Sequence, residues 1–122
     1  MDWIVPSIVA GAFIAFILLK RMSFVSPQKA RDLLQAGALV VDVREPGEFR
    51  SGHVKAAVNV PLGTLGQSLP RRVPDKNQVL LLHCLSGTRS GIARRQLADM
   101  GYRNVFNLGS YGRAKRIVGN PR

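Results

Sequence analysis

The chain has 122 residues, room for one domain with a modest core and too few for two. A single cysteine excludes an internal disulfide, and with only two histidines it leaves too few ligands for a structural zinc site. Eighteen Lys and Arg against seven Asp and Glu give a net charge of +11, which suits an anionic surface or substrate. The basic residues are scattered rather than interleaved with aromatics, which argues against nucleic acid as a partner.

The first element is apolar. Trp3 to Leu19, WIVPSIVAGAFIAFILL, carries no charge in 17 residues and is followed by Lys20-Arg21. Seventeen is the short end of a bilayer span, with Trp3 and the two cations as interfacial residues. Positive charge follows the run instead of preceding it, unlike a cleaved signal peptide. The expectation is therefore a transmembrane anchor over residues 1–22. The positive-inside bias puts the rest on the cytoplasmic side of a bacterial inner membrane, where anionic lipids would face its basic surface. Ser7, Gly11 and Ala15 recur every four residues; such a stripe would allow a weak helix-mediated homodimer, and it is also ordinary membrane-helix composition. Pro6 falls in the first turn, where it costs little.

Residues 23–122 form the second unit. Ser26-Pro27 reads as a cap and first helical residue, opening a helix that ends at Gly37. ALVVDV (38–43) is a continuous apolar run with β-branched residues, hence a buried strand. A short helix or turn lies in REPGEFRSGH, and AVNVPL (57–62) is a second strand. Residues 62–70 form a weak helix, and VLLLHC (79–84) a third strand that ends on the cysteine. Ser90 to Met100 is a helix with Ile92, Ala93, Leu97 and Met100 toward the core and Arg94, Arg95 and Asp99 outward. Gly101 closes that helix, NVFNL (104–108) is the last strand, and a Gly- and Arg-containing tail follows. Strands alternating with helices predict an α/β fold, a parallel sheet flanked by helices on both faces.

Ligands of open parallel sheets bind beyond the carboxyl ends of the strands. Cys84 ends an apolar strand there, and only LSGTR separates it from the next helix. Gly87 permits a positive-φ turn whose successive N–H groups line a small concavity. The helix end and Arg89 add positive potential. Such a loop lowers the pKa of a thiol and holds a negative group carried on its sulfur. The alternative is a buried, inert cysteine.

Two segments resemble single-domain rhodaneses of the thiosulfate sulfurtransferase superfamily. VVDVREPGEFRSGHVKAAVNVPL is similar to the family's D-x-R-x-x-x-E-F-x-x-G-H-I-x-G-A-x-N-I-P segment, with Ala56 in place of its usual glycine. CLSGTRS is similar to its C-x-x-G-x-R-S loop. With GYRNVFNLGSYGRA the resemblance covers about residues 24–118. It implies that Cys84 takes a sulfane sulfur as a persulfide, held by the loop Leu85, Ser86, Gly87, Thr88, Arg89 and Ser90. The donor would be a small molecule or protein, such as thiosulfate or a persulfide. The acceptor, a thiol or a cyanide-like thiophile, must come from outside a chain with one cysteine. No cofactor or metal is implied.

Related cell-cycle phosphatases carry C-x5-R, whereas Cys84 to Arg89 is C-x4-R, the sulfur-sized loop. Leu85 stands where some sulfurtransferases have an arginine. Ser110 replaces the second glycine of the family's G-G-x-x-x-W pattern, and no tryptophan follows it. Asp42 is read as a structural residue near the loop and Arg44 and Glu48 as a pair across a helical turn. His53 reads as a side-chain clamp. His83, on the opposite side of its strand from Cys84, is not an obvious base. Ser90 is expected to cap the following helix. The competing reading is a catalytically idle rhodanese-fold binding or sensing module.

Overall fold

A computed structural model describes residues 2–119, with the backbone alone for 20–22. Helix α1 (Ile4–Met22) precedes α2 (Pro27–Gln35), β1 (Leu39–Asp42), α3 (Pro46–Ser51) and β2 (Val58–Asn59). A 3-10 turn (Leu62–Thr64) leads into α4 (Leu65–Arg72), and β3 (Leu80–His83), α5 (Thr88–Asp99), β4 (Val105–Gly109) and α6 (Tyr111–Val118) complete the order. All strands pair in parallel in the order β2-β1-β3-β4, so β3 is interior and its end is flanked on both sides.

Alternation along the strands divides the core into two layers. Val41, Leu80 and Leu82 pack with Leu65, Leu69, Ala93 and Leu97 on the face covered by α4 and α5. Val40, Leu81 and Leu108 pack with Ala30, Ala114 and Ile117 on the face covered by α2 and α6. Because both faces are covered, β1 and β3 read in the sequence as unbroken apolar runs. Each fully buried leucine contributes about 1.5–3 kcal/mol. Ser26 caps α2 as expected, its Oγ accepting from the Lys29 N–H at 3.2 Å with Pro27 as the first helical residue.

Four expectations need correction. The apolar N-terminal run is helical, but among the described residues no helix is long and apolar enough to cross a membrane. Its apolar stretch, Ile4 to Leu19, rises about 24 Å, short of a hydrocarbon core of about 30 Å. The fold is thus an α/β sheet flanked by helices and preceded by an exposed apolar helix, not by a transmembrane one. The expected interfacial role of Lys20 and Arg21 falls on side chains outside the described ones. Second, Ile92 is exposed: with Ala93 and Leu97 facing the core, Ile92 falls on the outer side of α5 with the exposed Arg95, three residues on. Third, the Gly- and Arg-containing tail, to which no element was assigned, forms α6: Ser110 caps it, its Oγ accepting from the Arg113 N–H at 3.1 Å, and Ala114 and Ile117 reach the core. Fourth, Gly87 and not Ser90 occupies the cap position of α5.

Candidate active site

Cys84 follows the last residue of β3 and is completely buried. Its N–H donates to the Gly109 carbonyl at 3.2 Å, and the Tyr111 N–H donates to the Leu85 carbonyl at 3.2 Å. Those two bonds and a bridge between Ser86 and Ser110 tie the loop to the junction of β4 and α6. Gly87 then takes φ +97°, in the left-handed region, and turns its N–H back toward the sulfur. The Gly87 N–H donates to Cys84 Sγ at 3.0 Å and the Ser90 N–H at 3.4 Å, with the Ser90 hydroxyl 3.5 Å away.

Those donors decide the state of the thiol. Burial alone pushes its pKa up, but the Ser90 hydroxyl and the amides of Ser90, Gly87 and Ser86 outweigh burial and leave it below the ordinary thiol value. Thiolate is stabilised here by aimed backbone dipoles, as at other turns lined by N–H groups. Ser90 is shared: its hydroxyl also lies 2.7 Å from Asn107 Oδ1 and 3.1 Å from the Gly87 carbonyl. Asn107 in turn donates to the Gly87 carbonyl at 3.2 Å and accepts from the Gly109 N–H at 3.0 Å. Sequence reading passed over Asn107. A polar residue at a buried position of an otherwise apolar strand was the available signal.

Arg89, expected at the rim as a charge for the anion, turns onto Glu48 in a two-pronged ion pair, Nη1 to Oε1 at 2.7 Å and Nη2 to Oε2 at 3.1 Å. The pairing lowers the Glu48 carboxyl to about 2. Arg44 and Glu48 do not pair with one another. Glu48 instead also closes the first turn of α3 by accepting from the Glu45 N–H at 3.0 Å. Arg44 lies on Asp42, Nη2 to Oδ2 at 2.7 Å, and donates to the Gly52 carbonyl at 2.7 Å. Both charges are buried, and Asp42 also accepts from the Arg44 N–H at 2.9 Å, so the pair is well satisfied. Its guanidinium lies 4.2 Å from the centre of the Tyr111 ring. Asp42 and Arg44 thus brace the strand ends under the loop.

His53 stacks on Phe49 at 4.0 Å between ring centres, with Nδ1 3.1 Å from the Phe49 carbonyl, so it clamps the turn. His83 faces away from the sulfur. Its Nδ1 is 3.4 Å from the Cys84 carbonyl, and Nε2, without a hydrogen-bond partner, is 3.7 Å from Asp42 Oδ2. Burial lowers its pKa against the opposing pull of Asp42 and the Cys84 carbonyl. Leu85 and Ser86 are exposed at the loop's outer edge, and Thr88 is the first residue of α5. Among the described residues no group of three or more His, Cys, Asp or Glu is placed to hold a metal ion.

The rhodanese-like domain family matches residues 26–112. Thiosulfate sulfurtransferase PspE of Escherichia coli K12 is 39% identical over 69 residues, 57% of this chain and 66% of that protein. Thiosulfate sulfurtransferase GlpE of Ectopseudomonas mendocina is 32% identical over 84 residues, 69% and 75% of the two chains. Among solved structures, a rhodanese with anions from E. coli is 35% identical with a TM-score of 0.61, covering 63% of this chain and 91% of that one. The human single-domain sulfurtransferase TSTD1 is 28% identical with a TM-score of 0.65, covering 75% and 93%. A cysteine seated among inward N–H groups at the end of an interior parallel strand, on a chain matched over most of its length, leads to one assignment: the protein belongs to the rhodanese-like domain family and is a thiosulfate sulfurtransferase-like enzyme with Cys84 buried at its active site.

Proposed function

We propose that the protein relays a sulfane sulfur through a persulfide on Cys84. The thiolate attacks the outer sulfur of a donor such as thiosulfate or a persulfide. The new S–S bond forms as the donor's own bond breaks, and the leaving group, sulfite or a thiolate, departs with the electron pair. The terminal sulfur then carries the negative charge, and the loop amides that face Sγ stabilise it. An external thiol or cyanide-like thiophile attacks that sulfur and returns the Cys84 thiolate. The observation that carries this reading is the pair of N–H donors on Sγ, from Gly87 at 3.0 Å and Ser90 at 3.4 Å.

Intact mass after incubation with thiosulfate or a polysulfide tests it. The expected result is a gain of one sulfur atom, lost again on adding a thiol and absent from Cys84→Ser. No gain with any sulfane donor would leave the idle binding module as the reading.

The second part of the proposal concerns place. Phe13, Phe16 and Leu19 of α1 are more than half exposed, as are Trp3 and Ile8, and so wide an apolar surface favours burial in lipid. With α1 seated in the surface of a bacterial inner membrane, the catalytic domain would lie against its cytoplasmic face, its basic surface toward anionic lipid. Pelleting of the full chain with vesicles that contain anionic lipid is expected, and Phe13→Lys should release it. Recovery of the unmutated chain in the supernatant would overturn the placement.

A further inference from the structure

One aromatic ring outside the catalytic loop lies directly against its turn glycine. Phe24 follows α1 with only Ser23 between them, and its backbone bridges to Asn107 of β4. The Val25 N–H donates to the Asn107 carbonyl at 2.8 Å, which fixes the segment beside β4. From there the ring reaches under Gly87. A Cβ added to Gly87 would stand 2.6 Å from Phe24 Cζ and 2.9 Å from Cε1. One added to Gly109 would stand 3.1 Å from Cδ2. The ring therefore lies in van der Waals contact with both glycines, one in the catalytic loop and one at the end of β4. The Arg113 guanidinium lies 5.4 Å from the ring centre, and Arg113 donates to the Leu108 carbonyl at 2.6 Å and to the Val25 carbonyl, holding the ring's segment against β4.

We propose that Phe24 is a positioning residue for sulfur transfer: its ring sets the height of Gly87, and with it the aim of the Gly87 N–H at Cys84 Sγ. This rests on the persulfide relay proposed above and adds to it a residue outside both motifs. The Gly87 amide is the shortest donor to the sulfur. Its carbonyl is held from the other direction by Asn107 and Ser90, so the ring and those two bonds fix the turn between them. Without the ring the turn loses its floor, and the N–H is free to tilt away. The same ring lines a cavity of about 620 Å³ together with Phe16 and Leu19 of α1 and Ile92 of α5. Phe24 therefore borders one space shared by the N-terminal helix and the catalytic loop.

Three full-length variants test this: Phe24→Ala removes the floor, Phe24→Leu keeps an apolar wall that falls short of Gly87, and Phe24→Tyr adds a hydroxyl where Cζ already touches the turn. The first readout is the pH midpoint of Cys84 alkylation by iodoacetamide, which needs no sulfur donor and so is independent of the relay. Losing a well-aimed donor to an anion should raise the midpoint by about one pH unit in the Ala and Tyr variants, with Leu intermediate. The second readout is steady-state transfer from thiosulfate, where kcat at neutral pH should fall about tenfold with KM nearly unchanged. Thermal unfolding is followed alongside, because a merely structural role lowers the melting temperature without moving the alkylation midpoint. An unaltered midpoint in the Tyr and Leu variants, whatever happens to Ala, would overturn the proposal. Altered midpoints with no sulfur transfer by the unmutated protein would sink the relay and leave the positioning role standing.

Discussion

Arg89 and Glu48 are 41 residues apart in sequence and meet through two hydrogen bonds of 2.7 and 3.1 Å, so the loop arginine is a tie to α3 and not a free charge beside the sulfur. The pair anchors the first turn of α5, and so the far end of the catalytic loop, to the segment that follows β1. Both side chains are about one-third exposed, and solvent screens part of their attraction.

Glu48→Gln should therefore cost only about 0.5–1 kcal/mol at neutral pH. Its pH dependence is more diagnostic. The folded carboxyl titrates at about 2, below an unfolded glutamate at about 4.3. The tie's contribution is complete above that unfolded value and is lost as pH falls through the folded one. Urea midpoints of the unmutated protein and the variant should differ at pH 7, converge below about pH 4 and coincide near pH 2. A difference that stays constant down to pH 2 would mean the ion pair does not stabilise the fold.

Ser90→Ala separates acidity from folding. The hydroxyl has one proton and three acceptors within reach, Asn107 Oδ1, the Gly87 carbonyl and Cys84 Sγ. After its removal Asn107 Oδ1 keeps the Gly109 N–H, and the Gly87 carbonyl keeps Asn107 and the Gly91 N–H. The stability cost should stay near 1 kcal/mol. The thiol loses the side-chain donor that most favours its ionised form, so its alkylation midpoint should rise and kcat should fall with little change in KM. An unchanged midpoint would show that the backbone amides alone hold the anion.

The sheet was legible because each interior strand is buried on both faces, so β1 and β3 each open with three consecutive apolar residues, Leu39 to Val41 and Leu80 to Leu82. The loop was legible because its chemistry is local: a cysteine, a turn glycine and a helix start within seven residues. Helix α6 was missed because only Ala114 and Ile117 of its residues are buried, while Gly112 and the basic residues mask its period. The partner of Arg89 leaves no local signature, since it depends on how distant segments cross. The N-terminal helix was recognised as a helix, and its span was overestimated from apolarity where length decides.

One departure from the family pattern has a measurable cost. Ala56, where the family usually has glycine, takes φ +61° and is, among the described residues, the one non-glycine with positive φ. An alanine Cβ crowds its own carbonyl in that region by about 1–2 kcal/mol, against which glycine loses somewhat more chain entropy on folding. Ala56 is exposed, so packing does not enter. Ala56→Gly should stabilise the protein by about 0.5–1 kcal/mol, seen as a higher urea midpoint at an unchanged slope. Destabilisation would show that the turn's strain is relieved elsewhere.

A charge at position 85 tests donor preference. With Arg89 held by Glu48, the loop offers a small dianion such as thiosulfate backbone dipoles but no free cation of its own. Leu85, 57% exposed at the outer edge of the loop, is where a charge can be added without disturbing the core. Its carbonyl already accepts the Tyr111 N–H, so the backbone is held whatever the side chain. Leu85→Arg should lower KM for thiosulfate about two- to fivefold at low ionic strength, an advantage that shrinks as salt screens the rim. Its kcat should change little, because the donors on Sγ stay in place. For an uncharged organic trisulfide the substitution should have no comparable effect. Equal gains with both donors, or a thiosulfate gain indifferent to salt, would place the effect in loop geometry and not in charge.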